Sequence, residues 1–142
     1  MKPLFVFFLI AGLFSCNIAP QPILFGKDNC DFCRMTIVDN KFGAELITKK
    51  GKVFKFDSIE CMINYMKENH LSETATAQIL VVDYTSGGTL INAASANFLE
   101  SEKLKSPMGA GLSAYRDKSQ EEKMQQGYGG VCTTWNQLKN QK

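Results

Sequence analysis

Two thiols and a thioether fall within six residues in Cys30-Asp31-Phe32-Cys33-Arg34-Met35. Soft sulfur donors select soft cations, Cu(I) above all, and offer little to oxygen-seeking Mg²⁺ or Ca²⁺. Cys33 and Met35 stand two positions apart, so an extended backbone points both side chains to one face, and a turn at Asp31-Phe32 brings Cys30 beside them. Lys27 and Arg34 flank the pair and are expected to favour thiolate over thiol. A further sulfur candidate is Met108, in Ser106-Pro107-Met108-Gly109-Ala110-Gly111-Leu112. In a loop of that composition a methionine buries little apolar area, so packing explains it poorly.

Other chemistries compete for the same residues. Structural zinc wants four ligands, in paired CxxC motifs or with a spaced histidine pair, whereas Cys61 and Cys132 stand alone and His70 is the single histidine. A thioredoxin-type redox pair follows a strand and opens a helix, but this CxxC leads into β-forming Thr36-Ile37-Val38. A reactive dithiol on another scaffold stays open, as does a plain disulfide between Cys30 and Cys33. The glycines near Met108 lack the Lys-Ser/Thr of a phosphate loop. With one histidine and no serine and base arrangement, hydrolase chemistry is unsupported and the chain is not expected to be an enzyme. Cys61 either reaches the site or simply packs. His70 reads as a dipole partner at a helix end, and Asp57 as a helix cap or its neighbour.

The elements that must position these residues follow from composition and pattern. A chain of 142 residues, 44% hydrophobic and 21% charged, suits one compact domain or two small half-domains sharing a core. With 16 basic and 14 acidic side chains the net charge of +2 is too slight to argue for nucleic acid as partner. Lys2 precedes an apolar run, Leu4 to Phe14, that matches a secretory leader over residues 1–15. The run is too short to span a membrane, which needs about 20 residues. Leu13-Phe14-Ser15-Cys16 has the form of a lipobox, which makes Cys16 the lipidated N-terminus of the mature protein. Residues 16–28, with Pro20, Pro22 and Gly26, read as a tether, and folding is expected to begin near Asn29. In an oxidising compartment Cys30, Cys33, Cys61 and Cys132 are expected by default to form two disulfides, in one of three pairings.

Phe42 to Thr48 and Val53 to Phe56, separated by Lys49-Lys50-Gly51-Lys52, predict a β-hairpin. Asp57 and Ser58 offer cap oxygens to a helix from Ile59 to about Asn69, on which Ile59, Met62, Ile63 and Met66 share one face. Ala77 to Tyr84 and Thr89 to Asn92 predict a second hairpin across Ser86-Gly87-Gly88. Gly111 to Arg116 is a short apolar stretch, and Asp117 to Gln126 predicts a helix closed by Gly127. The repeated order strand, strand, helix, over roughly Phe42 to Asn69 and Thr89 to Gln126, indicates an α+β fold whose halves cover about 29–75 and 76–142.

Cys-x-x-Cys-x-Met, Phe42-Gly43-Ala44-Glu45, Phe56-Asp57-Ser58-Ile59-Glu60-Cys61-Met62 and Pro107-Met108-Gly109-Ala110-Gly111-Leu112, in that order and spacing, resemble the NosL family of copper lipoproteins accessory to nitrous oxide reductase. The resemblance covers nearly the whole mature chain. It implies a body of two ββα-type halves, also seen in organomercurial lyase. It also implies a lipid-anchored protein on the periplasmic side of the cell envelope that binds Cu(I) and passes it to a copper-accepting protein, nitrous oxide reductase or its maturation complex, or along a related copper route. Carried over by position, Cys30, Cys33, Met35 and Met108 are the metal ligands. Many relatives have glycine where this chain has Arg34. A different reading of the CxxC pair is a membrane-anchored thiol–disulfide oxidoreductase, and a third is a structural lipoprotein with two static bridges.

Overall fold

A computed structural model describes residues 18–141. The leader, the lipobox and Cys16 lie outside the described residues. Strands β1 (Ala44–Thr48) and β2 (Val53–Phe56) form the expected hairpin, in register from Ala44 opposite Phe56 to Ile47 opposite Val53. Gly51 makes the turn with φ +80, a conformation that costs glycine nothing sterically. Helix α1 (Ile59–Glu68) follows, and its first turn is closed by Ser58, whose hydroxyl accepts the Cys61 N–H at 3.2 Å. Ile59, Met62 and Met66 are buried along one face of α1, with Ile63 partly buried beside them. The period of 3.6 residues per turn reads directly as the packed side.

Strands β3 (Thr76–Val82) and β4 (Leu90–Asn92) do not open the second half. They join the first sheet, whose order is β2-β1-β3-β4. The division expected at 75/76 therefore falls between Asn92 and Asn97. The second sheet has the order β6-β5-β7, with β5 (Asn97–Glu100) between β6 (Leu112–Tyr115) and β7 (Val131–Thr134). Its ββα unit is thus β5, β6 and α2 (Lys118–Tyr128), rather than one that starts at Thr89. Helix α2 runs through Gly127 and ends at Gly129, whose φ of +68 breaks the helical path. A short helix, α3 (Trp135–Asn140), closes the chain on a capping box between Thr134 and Gln137.

Two antiparallel sheets with helices make this a compact α+β body. A parallel bridge between Asp83 and Ala114 joins the sheets, with the Tyr84 N–H donating to the Ala114 carbonyl at 2.8 Å. One apolar cluster runs from Ile37, Leu46 and Phe56 under α1 to Phe98, Trp135 and Leu138 of the second half. A smaller one gathers Leu99, Leu104 and Tyr115.

The folded contacts also begin before Asn29. The Gln78 side chain donates to the Ile18 carbonyl at 2.8 Å, and Lys55 Nζ donates to the Pro22 carbonyl at 2.9 Å. The Gln21 N–H reaches the fully buried Glu45 carboxylate at 3.0 Å, and Ile23 is buried. Gly43 makes room for this strap, since a Cβ there would meet Ile23 Cδ1 at 3.0 Å. Pro20, Pro22 and Gly26 suggested a tether, but the partners of this segment's backbone come from β1, β2 and β3, which no local pattern announces.

Candidate metal centre

The CxxC segment folds as a turn, with the Arg34 N–H donating to the Cys30 carbonyl at 3.0 Å and the Cys30 N–H to the Met35 carbonyl at 2.8 Å. Arg34 adopts φ +67, the left-handed region that glycine occupies without strain. Asp31 anchors the turn to β2 through a reciprocal pair: its N–H donates to the Lys55 carbonyl at 2.8 Å, and its carboxylate accepts the Lys55 N–H at 2.8 Å. That attachment sets the turn beside the end of β2, where Asp57 and the capped start of α1 follow.

The result is a cluster of four side chains. One ligand atom from each of Cys30, Cys33, Asp57 and Cys61 lies within 4.8 Å of the others. Cys30, Cys61 and Asp57 are 1%, 0% and 3% exposed, whereas Cys33 is half-buried and forms the accessible edge. The Cys33 thiol donates to Asp57 Oδ2 at 3.2 Å. Cys30 is pulled down from the ordinary thiol value to about 6, first by the Cys61 thiol beside it and then by the N–H groups of Asp57, Cys33 and Phe32, which together outweigh burial. Burial pushes Cys33 up to about 11, reinforced by its hydrogen bond to Asp57 and the neighbouring Cys30 charge. Cys61 is raised by donating to Cys30 and by burial. The cluster therefore holds one thiolate, Cys30, surrounded by donors, with two thiols in reserve.

This corrects the expectation about charge. Lys27 and Arg34 are not what favours the thiolate; backbone N–H groups and a second thiol are. Two expected residues, Cys30 and Cys33, converge, while Met35 and Met108 are 61% and 45% exposed and stay at the solvent-facing surface. Asp57 and Cys61, read from the sequence as a cap neighbour and an ambiguous packing residue, complete the cluster. Their positions four apart across the Ser58 cap carried the available signal, because they bracket the first helical turn. No disulfide links Cys30, Cys33, Cys61 or Cys132. Cys132 stands on β7 against the smaller apolar cluster, away from the other three, so the two-bridge expectation finds no geometry to support it.

A soft, largely buried trio of sulfurs with one carboxylate acceptor is suited to a thiophilic cation. The model of the NosL family matches residues 23–142. The chain belongs to the NosL family. Among curated proteins none matches it. A crystal structure of the copper chaperone NosL from Shewanella denitrificans has the same fold, with a TM-score of 0.71 and 22% identity, covering 84% of this chain and 94% of that one.

Proposed function

We propose that this chain is a Cu(I) chaperone held at the membrane through lipid on Cys16, facing the periplasm, and that it hands copper toward nitrous oxide reductase maturation or a related copper route. The observation that carries the reading is the convergence of Cys30, Cys33 and Cys61 around one thiolate. Membership of the NosL family and the likeness to a structure named for a copper chaperone support it.

The chemistry follows from the protonation pattern. Cu(I) meets the Cys30 thiolate, and a second Cu–S bond requires the Cys33 proton to leave. Asp57, already accepting the hydrogen bond from that thiol at 3.2 Å, is placed to take the proton. A metal ion lowers the pKa of a bound thiol steeply, so the transfer becomes favourable only as copper binds. Release runs in reverse, with Cys33 reprotonated as the acceptor's ligand takes its place. Met35 and Met108, exposed thioethers that bind without competing for protons, serve as supplementary ligands on the way in or out. The oxidoreductase alternative is disfavoured by the burial of Cys30, because its nucleophilic sulfur is 1% exposed and closed to a protein disulfide.

Titrating the reduced protein with Cu(I) against a competing chelator tests the reading. Tight retention that collapses in Cys30→Ser plus Cys33→Ser supports it, and unchanged affinity in that variant refutes it. Fatty-acid labelling that disappears in Cys16→Ser checks the anchor.

A further inference from the structure

One polar link ties the thiol cluster's helix to the loop that carries Met108. Glu60 occupies the first turn of α1, next to Cys61 and within electrostatic reach of Asp57. Its carboxylate Oε1 accepts the Ser106 hydroxyl at 2.6 Å, and that hydroxyl accepts the Gly111 N–H at 2.9 Å. The Ala110 N–H also points at the Glu60 carboxylate. Ser106 is thereby fastened to a side chain 46 residues away in sequence, and its hydroxyl in turn holds the Gly111 end of the segment.

Between those ends the chain turns back, the Gly109 N–H donating to the Ser106 carbonyl at 3.0 Å. Pro107 and Met108 are the central residues of that turn, and a proline at its first central position presets φ. Met108 is therefore lifted to the tip, which is why it stays 45% exposed. Gly111 fixes the far end: its φ is +68, and a Cβ there would lie 2.0 Å from the Ser101 carbonyl oxygen. The second Glu60 oxygen, Oε2, is buried with no hydrogen-bond partner. A carboxylate so placed is a poor choice for stability alone, since an unmatched buried acceptor costs free energy.

We propose that Glu60 is a positioning residue that holds the Met108 turn over the first turn of α1, so that the thioether meets copper as it enters or leaves the thiol cluster. The proposal rests on the Cu(I) reading above and assigns the exchange step to a definite place. Copper keeps its charge throughout; one Cu–S bond to the thioether forms as one to a cluster sulfur loosens, and no electron moves. Glu60 touches no copper. It acts through Ser106 and the loop backbone.

Stopped-flow transfer of Cu(I) from the reduced, loaded protein to a chromogenic chelator tests this. Met108→Ala and Glu60→Ala should change the transfer rate in the same direction by about tenfold, the size of effect seen when supporting groups around a metal are removed. Glu60→Ala plus Met108→Ala should change it no further, because both act through one contact. Glu60→Gln, which keeps an oxygen acceptor for Ser106, should recover most of the rate, and Ser106→Ala should reproduce the Glu60→Ala defect if the former proves hard to fold. A role confined to joining the two halves would lower thermal stability while leaving the rate unchanged. That result, multiplicative effects in the double variant, or no effect of Met108→Ala would each overturn the proposal while leaving the thiol site standing. Failure of the parent protein to hold copper would instead overturn the functional reading beneath it.

Discussion

The chain builds the same junction twice and uses it differently. In the first half β2 ends at Asp57 and α1 begins after Ser58; in the second, β6 ends just before Arg116 and Asp117, and α2 begins at Lys118. Each junction has a buried carboxylate with an unpaired oxygen, Asp57 Oδ1 in one and Glu121 Oε1 in the other. Around Asp57 stand three cysteine sulfurs. Around Glu121 stand an ammonium, Lys118, ion-paired with it, and one thiol, Cys132. The two sulfur environments diverge accordingly. Cys30 is surrounded by N–H and S–H donors and falls to about 6, while burial and the Glu121 charge raise Cys132. A strand leading into a helix provides the frame, and the neighbouring donors or anions decide whether a cysteine there is favoured as thiolate or as thiol.

The sharpest way to break this contrast is to exchange serine for single thiols. Cys61→Ser should weaken Cu(I) retention by about 100-fold or more, exceeding the effect of disturbing outer groups, whereas Cys132→Ser should leave it unchanged. Chelator competition on both reduced variants reads the difference. The helices should differ in a similar way. Met62 on α1 is fully buried, so Met62→Ala is expected to cost about 3 kcal/mol in urea unfolding, while Met124→Ala on the half-buried face of α2 should cost about 1 kcal/mol.

Proton linkage offers a further separation. Cys30 ionises near 6 when folded and near 9 when unfolded, so between those values the unfolded chain binds more protons and stability of the reduced apo-protein should rise with pH. The contribution is complete by about 9 and is lost as pH falls through 6. Above 9 the sign reverses, because Cys33 stays protonated in the fold up to about 11. Denaturation midpoints collected across this range should trace a rise and then a fall. Cys30→Ser should abolish the rising limb, and Cys132→Ser should keep it. The smallest expected effect is at Arg34. Arg34→Gly removes a left-handed conformation that costs a side-chain-bearing residue about 1 kcal/mol, partly offset by the greater freedom of glycine in the unfolded chain. A gain of about 0.5 kcal/mol with unchanged copper retention is expected.

Much of this was legible in the sequence, where local chemistry determines the outcome. Ser58 and the spacing of Ile59, Met62 and Met66 define α1, and Lys49 to Lys52 marks the turn of the first hairpin. Strand β5 escaped notice because Asn97-Phe98-Leu99-Glu100 is short and has no β-branched residue, so its place at the centre of a sheet comes from pairing with β6 and β7. The site divided along the same line. Cys30 and Cys33 are adjacent in sequence and could be read together. Asp57 and Cys61 join them through contacts between residues 24 apart, the reciprocal bonds of Asp31 with Lys55 and the bond from Cys33 to Asp57, and each already had an adequate local explanation.

The strap that Gln78, Lys55 and Glu45 hold against the sheet has a consequence for geography. Had residues 16–28 been a free coil, the metal site could have roamed about 20 Å from the bilayer. If Cys16 carries a lipid as proposed, attachment of the chain at Ile18 would leave only two residues of chain, at most about 7 Å, between the acyl chains and the folded surface. On that proposal the protein would act as a moored dock rather than a shuttle, riding close to the headgroups, and whatever collects the copper would have to come alongside.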